Sequence, residues 1–129
     1  MKQLLLLMLF PFMLQAQTPA EKNESIGGDP KKEAREKLEA IRQRVLNGES
    51  MAVLATLYTQ DLGSAKTGGV YYNVARGQFV PEFEAAAFNL TPGGISEVFE
   101  TQYGFHFVQL IALRGDVIDV RHILIAIPK

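Results

Sequence analysis

The sequence has no cysteine and only two histidines among its 129 residues. Disulfides and thiolate metal sites are therefore excluded, and His106 and His122 alone cannot build a histidine-rich metal cluster. Neither sign of charge is in excess: 13 Lys and Arg stand against 14 Asp and Glu, a formal net charge of −1. Such a balance offers no general attraction for nucleic acid or anionic lipid. No phosphate-binding glycine motif precedes a helix, and no pair of carboxylates has the setting of a hydrolase site. Long apolar runs are missing too. The longest, Leu4 to Leu14, is about eleven residues, short of the roughly 20 that span a bilayer.

What that run does have is the layout of a secretory signal peptide over 1–16: Lys2 before it, and the small residue Ala16 ahead of Gln17. The mature chain is expected to work outside the cytoplasm, periplasmic or secreted, with no stable membrane insertion after cleavage. Residues 17–29, "QTPAEKNESIGGD", are polar and aperiodic and read as a flexible lead-in.

The remainder, 30–129, reads as one α+β domain with helices packed on a small antiparallel sheet. Asp29-Pro30 opens a helix, an N-cap followed by a residue suited to the first turn. Ala34, Leu38, Ile41 and Val45 form its apolar stripe, and Asn47-Gly48 ends it. Ser50 caps a second helix, "MAVLATLYT", with Val53, Leu54 and Leu57 expected inward. A polar loop (60–69) leads into the short strand "VYYNV", and a third helix near Pro81 is expected to bury Phe83, Ala87 and either Phe88 or Leu90. "ISEVFET", "GFHFVQLIAL" and "VIDVRHILIAI" read as strands. "TPGG" and "RGD" are turns.

Three stretches in order are specific as a set: "DLGSAKTGG", then "RGQFVPEFEAAAFNL", then "ISEVFETQYGFHFVQL". This succession resembles the parvulin (PpiC, rotamase) family of peptidyl-prolyl cis-trans isomerases, and within it the modules of SurA-like periplasmic chaperones. The resemblance covers roughly Pro30 to Leu113. It implies a parvulin-like fold, no metal and no cofactor, and a role in folding exported proteins. The partners it implies are unfolded or proline-containing polypeptides. Carried over position by position, Phe79 and Phe83 fall in the proline pocket, with Gln78 and Tyr71 beside them on the substrate side. His106 matches the histidine of the last strand and Asp61 the acidic residue opening the loop, while His122 stands in a His-Ile-Leu sequence that the family carries in its first strand. Two departures are plain. Val70-Tyr71-Tyr72-Asn73 replaces the usual acidic-Leu-Gly-aromatic run, and Leu62 stands where active members can place a cysteine or another polar group against substrate. These departures favour the alternative of a non-catalytic peptide-binding module.

The tail, "DVRHILIAIPK", admits two accounts: residues 116–129 as the start of a second, truncated module, or as a strand that folds back into the vacant first-strand slot. A hairpin centred on Arg114 would pair residues whose numbers sum to about 228, setting Leu110 opposite Ile118 and His106 opposite His122.

Overall fold

The structure, a computed structural model, describes residues 28–129. The signal-peptide reading of 1–16 and most of the lead-in lie outside the described residues. Helices α1 (Pro30–Leu46), α2 (Met51–Tyr58) and α3 (Pro81–Phe88) accompany strands β1 (Val70–Ala75), β2 (Phe99–Thr101), β3 (Gly104–Arg114) and β4 (Val117–Ile125). Their succession is the one expected. The four strands make one antiparallel sheet in the order β1-β4-β3-β2. The last strand in the chain is thus interior to the sheet, in the place that the resemblance gives to the family's first strand.

Local chemistry sets the helix starts. The Asp29 side chain accepts the Lys31 N–H at 3.0 Å, with Pro30 in the first turn. Ser50 likewise accepts the Val53 N–H at 3.2 Å. From α1, Ala34, Leu38 and Ile41 are buried; from α2 the buried residues are Met51, Leu54 and Ala55. Val53 and Leu57 were expected inward, and the structure corrects this: they are 56% and 64% exposed. A helix of eight residues has one buried face, and the Met51-Leu54-Ala55 stripe at spacings of three and four occupies it. Phe83 and Ala87 are buried as expected, whereas Phe88 and Leu90 are only partly so.

The sheet is covered on both sides. Phe105, Phe107, Ile123 and Ile125 pack with α1 and α2; Val108, Leu110, Ile118 and Val120 pack with Phe83 and Ala87 of α3. Alternate residues of one strand serve opposite layers. This is why β4 is buried nearly throughout.

The β3–β4 hairpin departs from the expected register. Phe105 pairs with Ile125 and Val108 with His122, sums of 230, and beyond a bulge Arg114 pairs with Val117, a sum of 231. His106 faces Leu124 instead of His122. The turn is tighter than expected: Arg114 remains in β3, and Gly115, at φ 58°, and Asp116 alone turn the chain. Arg114 is held there by a bidentate ion pair with the buried Asp119, 2.5 and 2.6 Å. The slip is two residues, an even number, so both histidines stay on the α3 face as diagonal neighbours.

The "ISEVFET" strand is also shorter than expected. Only Phe99–Thr101 is ladder, and Ile95 makes a lone bridge to Gln109. Ser96 takes over one ladder contact, its hydroxyl accepting the Val108 N–H at 3.0 Å.

On its other edge β4 meets β1 and the turn before it. Gly69 accepts the His122 N–H at 2.9 Å. Gly69 sits at φ 84°, and a Cβ there would lie 2.4 Å from the His122 carbonyl oxygen. Only glycine lets the loop close this near to β4. Gly69→Ala should therefore cost about 1–3 kcal/mol in chemical denaturation; unchanged stability would refute the tight closure. Deleting 117–129 removes the strand that joins β1 to β3, and cooperative thermal unfolding should vanish.

Candidate active site

A cavity of about 280 Å³ opens on the α3 face of the sheet. Its walls bring together Asp61 from the loop after α2, Tyr71 from β1, Gln78 and Phe79 from the segment before α3, Phe83 from α3, His106 from β3 and His122 from β4. Seven of the eight residues singled out from sequence thus share one pocket. The eighth, Leu62, does not line it: its side chain is 87% exposed. Asp61 turns inward and Gly63 and Ser64 fold beneath it, which leaves the residue between them facing solvent. Val80, Tyr103 and Leu124 also line the cavity. Thr101 and Ser64 matter as much, because they terminate its hydrogen bonds.

Polar groups form one connected chain. Asp61 Oδ2 accepts from Ser64 Oγ at 2.6 Å, from Tyr71 Oη at 2.7 Å and from His122 Nε2 at 2.9 Å. His122 Nδ1 and His106 Nδ1 lie 3.4 Å apart, and His106 Nε2 lies 2.7 Å from Thr101 Oγ1. The proton positions follow by assignment. A carboxylate only accepts, so His122 Nε2 carries its hydrogen and Nδ1 of the neutral ring is an acceptor. His106 Nδ1–H then donates to it, leaving His106 Nε2 to accept from the Thr101 hydroxyl. Thr101 Oγ1 keeps a lone pair for the Tyr103 N–H, 3.1 Å away. All of these groups are satisfied with both rings neutral.

Burial pushes His106 down to about 4, with the neighbouring His122 as a second cause. The hydrogen bond from His122 holds Asp61 well below the usual carboxylate range, helped by Ser64 and Tyr71 against the cost of burial. Tyr71 rises to about 12, through burial first and its bond to Asp61 second. Around neutral pH the site therefore has an ionised Asp61, a neutral His106 and a protonated Tyr71.

Aromatic rings make the rest of the wall. Phe83 stands edge-on to both imidazoles, with centroids 5.9 Å from His106 and 5.3 Å from His122. Phe79 lies 5.1 Å from Phe83 and 5.1 Å from Tyr71. Phe99 stacks on His106 at 5.2 Å and 8°. The result is an apolar cup with a polar, internally satisfied floor. Among the described residues no group of three or more His, Asp or Glu side chains could hold a metal ion, and no helix is long and apolar enough to cross a membrane.

Comparison with known proteins gives the same frame. The family model described as the PPIC-type PPIase (rotamase) domain matches residues 18–112. The chain belongs to this family. Chaperone SurA of Nitrosococcus oceani is 42% identical over 85 residues, 66% of this chain and 20% of SurA. Foldase protein PrsA 3 of Bacillus anthracis is 43% identical over 70 residues, 54% of this chain and 25% of the foldase. The crystal structure of the peptidylprolyl isomerase PrsA from Bacillus cereus superposes with a TM-score of 0.60 at 32% identity, over 62% of this chain and 31% of that one. The chain thus spans about a fifth to a third of these PPIC-type relatives. The family match stops at residue 112, before β4, the strand that carries His122.

His106 and Asp61 make stability depend on pH. Unfolded, His106 takes a proton near its ordinary 6.5; folded, it does so only near 4. Between these values the unfolded state binds more protons, so stability falls as pH falls, by on the order of 3 kcal/mol in all. Asp61, lower folded than its ordinary 3.8, extends the loss below that pH. Denaturation midpoints measured from pH 7 to 4 should show this slope, reduced in His106→Phe. A flat wild-type profile would contradict the buried neutral imidazole.

Proposed function

We propose that the chain is a peptidyl-prolyl cis-trans isomerase module acting on proline bonds of unfolded, exported polypeptides. One observation carries the reading: the apolar cup of Phe79 and Phe83 lies directly against the His122–His106 pair. Rotation about an X–Pro bond crosses a barrier of roughly 18–20 kcal/mol without breaking a covalent bond. A catalyst has only to bind the twisted amide better than either planar form. In this reading Phe79 and Phe83 hold the proline ring, and Gln78 and Tyr71 flank it. His106, His122 and Asp61 supply a floor whose hydrogen bonds are already made among themselves. Such a floor is polar, yet it offers a planar amide little to bind. A preorganised surface of this kind suits an amide that loses its planarity in the cup.

The extracytoplasmic setting rests on the signal-like layout of residues 1–16. The choice of unfolded chains as substrate rests on the likeness to proteins named chaperone and foldase. A second reading, binding without catalysis, has its own support. Leu62 puts an exposed aliphatic side chain beside the site, at the position where active members can carry a polar group.

A proline-peptide isomerisation assay on the purified chain separates the two. Isomerase activity is expected above the uncatalysed rate, which takes tens to hundreds of seconds. Phe79 is only partly buried, so Phe79→Ala should leave the fold intact and lower kcat/KM about tenfold or more. Peptide binding with no acceleration would select the second reading.

A further inference from the structure

We propose that Tyr71 is a positioning residue whose hydroxyl, seated over the bare Cα of Gly63, restrains Asp61 so that the His106 ring stays neutral. The proposal deepens the isomerase reading and rests on it for its catalytic consequence. Its structural basis stands separately. Three donors converge on the single oxygen Asp61 Oδ2, and of them Tyr71 is the one whose ring also packs against Phe79 in the apolar cup. Its ring lies 5.1 Å from Phe79 and 5.6 Å from His122, so one side chain touches cup, carboxylate and imidazole.

Gly63 makes this placement possible. A Cβ there would lie 2.6 Å from Tyr71 Oη, closer than any real contact of that kind, and 3.5 Å from Asp61 Oδ1. The hydroxyl thus occupies the space that a side chain at 63 would fill. No positive φ requires glycine at this position. Space for the phenol is what glycine provides there. Tyr71, a departure from the family run, thus meets Gly63 of the matched loop at one point.

The physical effect has a definite sign. A carboxylate that gives one lone pair to Tyr71 has less negative potential to offer the imidazole beside it. Removing that donor strengthens the pull of Asp61 on a proton at His106, and protonation of that ring moves to higher pH. The groups facing the pair are few. They are Asp61 and Ser64 from the loop, Tyr71 from β1, Thr101 from the end of β2, Tyr103 on the cavity wall and the uncharged rings of Phe83 and Phe99. No lysine or arginine among the described residues lines the cavity. Arg121, next to His122 in the chain, spends its Nε–H on the Gly68 carbonyl at 2.9 Å. Among the described residues Asp61 is thus the one acidic or basic side chain besides the histidines that lines the cavity, and Tyr71 acts through it.

The test is a pH titration of the histidine ring protons by NMR on the whole chain, for wild type, Tyr71→Phe, Gly63→Ala and the double variant. Tyr71→Phe keeps the ring and loses only the hydroxyl; Gly63→Ala keeps the hydroxyl and displaces it. Each should raise the titration midpoint of His106 by about 0.5–1 pH unit, the scale of one hydrogen bond to a charged group. The double variant should go no further than Tyr71→Phe alone. Midpoints unmoved in a folded single variant overturn the proposal, as does a shift from Gly63→Ala that persists once Tyr71 is Phe. Either single variant decides the matter if the other fails to fold. The acid limb of kcat/KM for proline isomerisation should move in parallel. Titrations that shift in a wild-type chain without isomerase activity would sink the isomerase reading and leave this one standing; activity with unmoved midpoints and limb would do the reverse.

Discussion

Strand β4 is hydrogen-bonded along both edges, to β1 on one side and β3 on the other, and the cavity depends on it. His122 sits mid-strand with its N–H fixed by Gly69 and its ring between Asp61 and His106. The loop that presents Asp61 is pinned to the same strand. Thr59 accepts the Leu124 N–H at 3.1 Å, and Gln60 both donates to the Leu124 carbonyl, at 2.8 Å, and accepts the Ala126 N–H at 2.7 Å. The backbone of one strand thus aligns a carboxylate from one side and a histidine from the other. Misplacing β4 by a single residue would send His122 into the α1–α2 layer, because side chains alternate across a sheet. The Arg114–Asp119 pair at the hairpin end and the Gly69 contact near the middle hold that register at two separate points.

A fixed register gives the polar floor its direction. Protons point from Thr101 to His106, from His106 to His122 and from His122 to Asp61, where three donors end on one oxygen. Nothing in the chain has a choice of tautomer once the carboxylate is ionised. Burial lowers His106, the ionised Asp61 is kept so by its donors, and the two effects support the same proton arrangement. A reacting amide in the cup would meet a surface of set dipoles and not a mobile charge. Electrostatic preorganisation of that sort requires rigid supports, and here the supports are strands and a glycine turn.

Much of this was legible before any coordinates. Helix starts showed through Asp29-Pro30 and Ser50, because capping is local chemistry. The succession of strands followed from periodicity, and the return of the tail, with Gly115 at its turn, was one of the two accounts the sequence admits. The register missed by two residues, since the turn's length depends on Arg114 finding Asp119 across the hairpin, a tertiary event with no local signature. Val53 and Leu57 misled for a similar reason: a short helix rich in aliphatic residues does not reveal which face has a partner. Thr101 and Ser64 went unassigned because hydroxyls are common, and only the placement of His106 and Asp61 gives them a role. Leu62 misled through the resemblance itself, which fixes a position in the chain but not the direction of its side chain.

The unusual run after the paired glycines is best understood from this geometry. Val70-Tyr71-Tyr72-Asn73 and Leu62 are the two places where the chain departs from the family run, and in space they part: Tyr71 lines the cavity while Leu62 is exposed. Asn73 takes a left-handed φ of 58° where β1 bulges, and its N–H is caught by Asp119 at 2.9 Å, so β1 can leave and rejoin the β4 ladder between Tyr71 and Val74. Tyr71 lies at the last paired position before that bulge, facing the cup. Gly63 is open beneath its hydroxyl, and the carboxylate that receives it is already held by a serine and a histidine. A phenol has thus been added to the polar floor from the β1 side while Leu62 points away. The site thus pairs an apolar cup with two imidazoles, and its carboxylate takes one donor from the loop, Ser64, and two from strands, Tyr71 and His122.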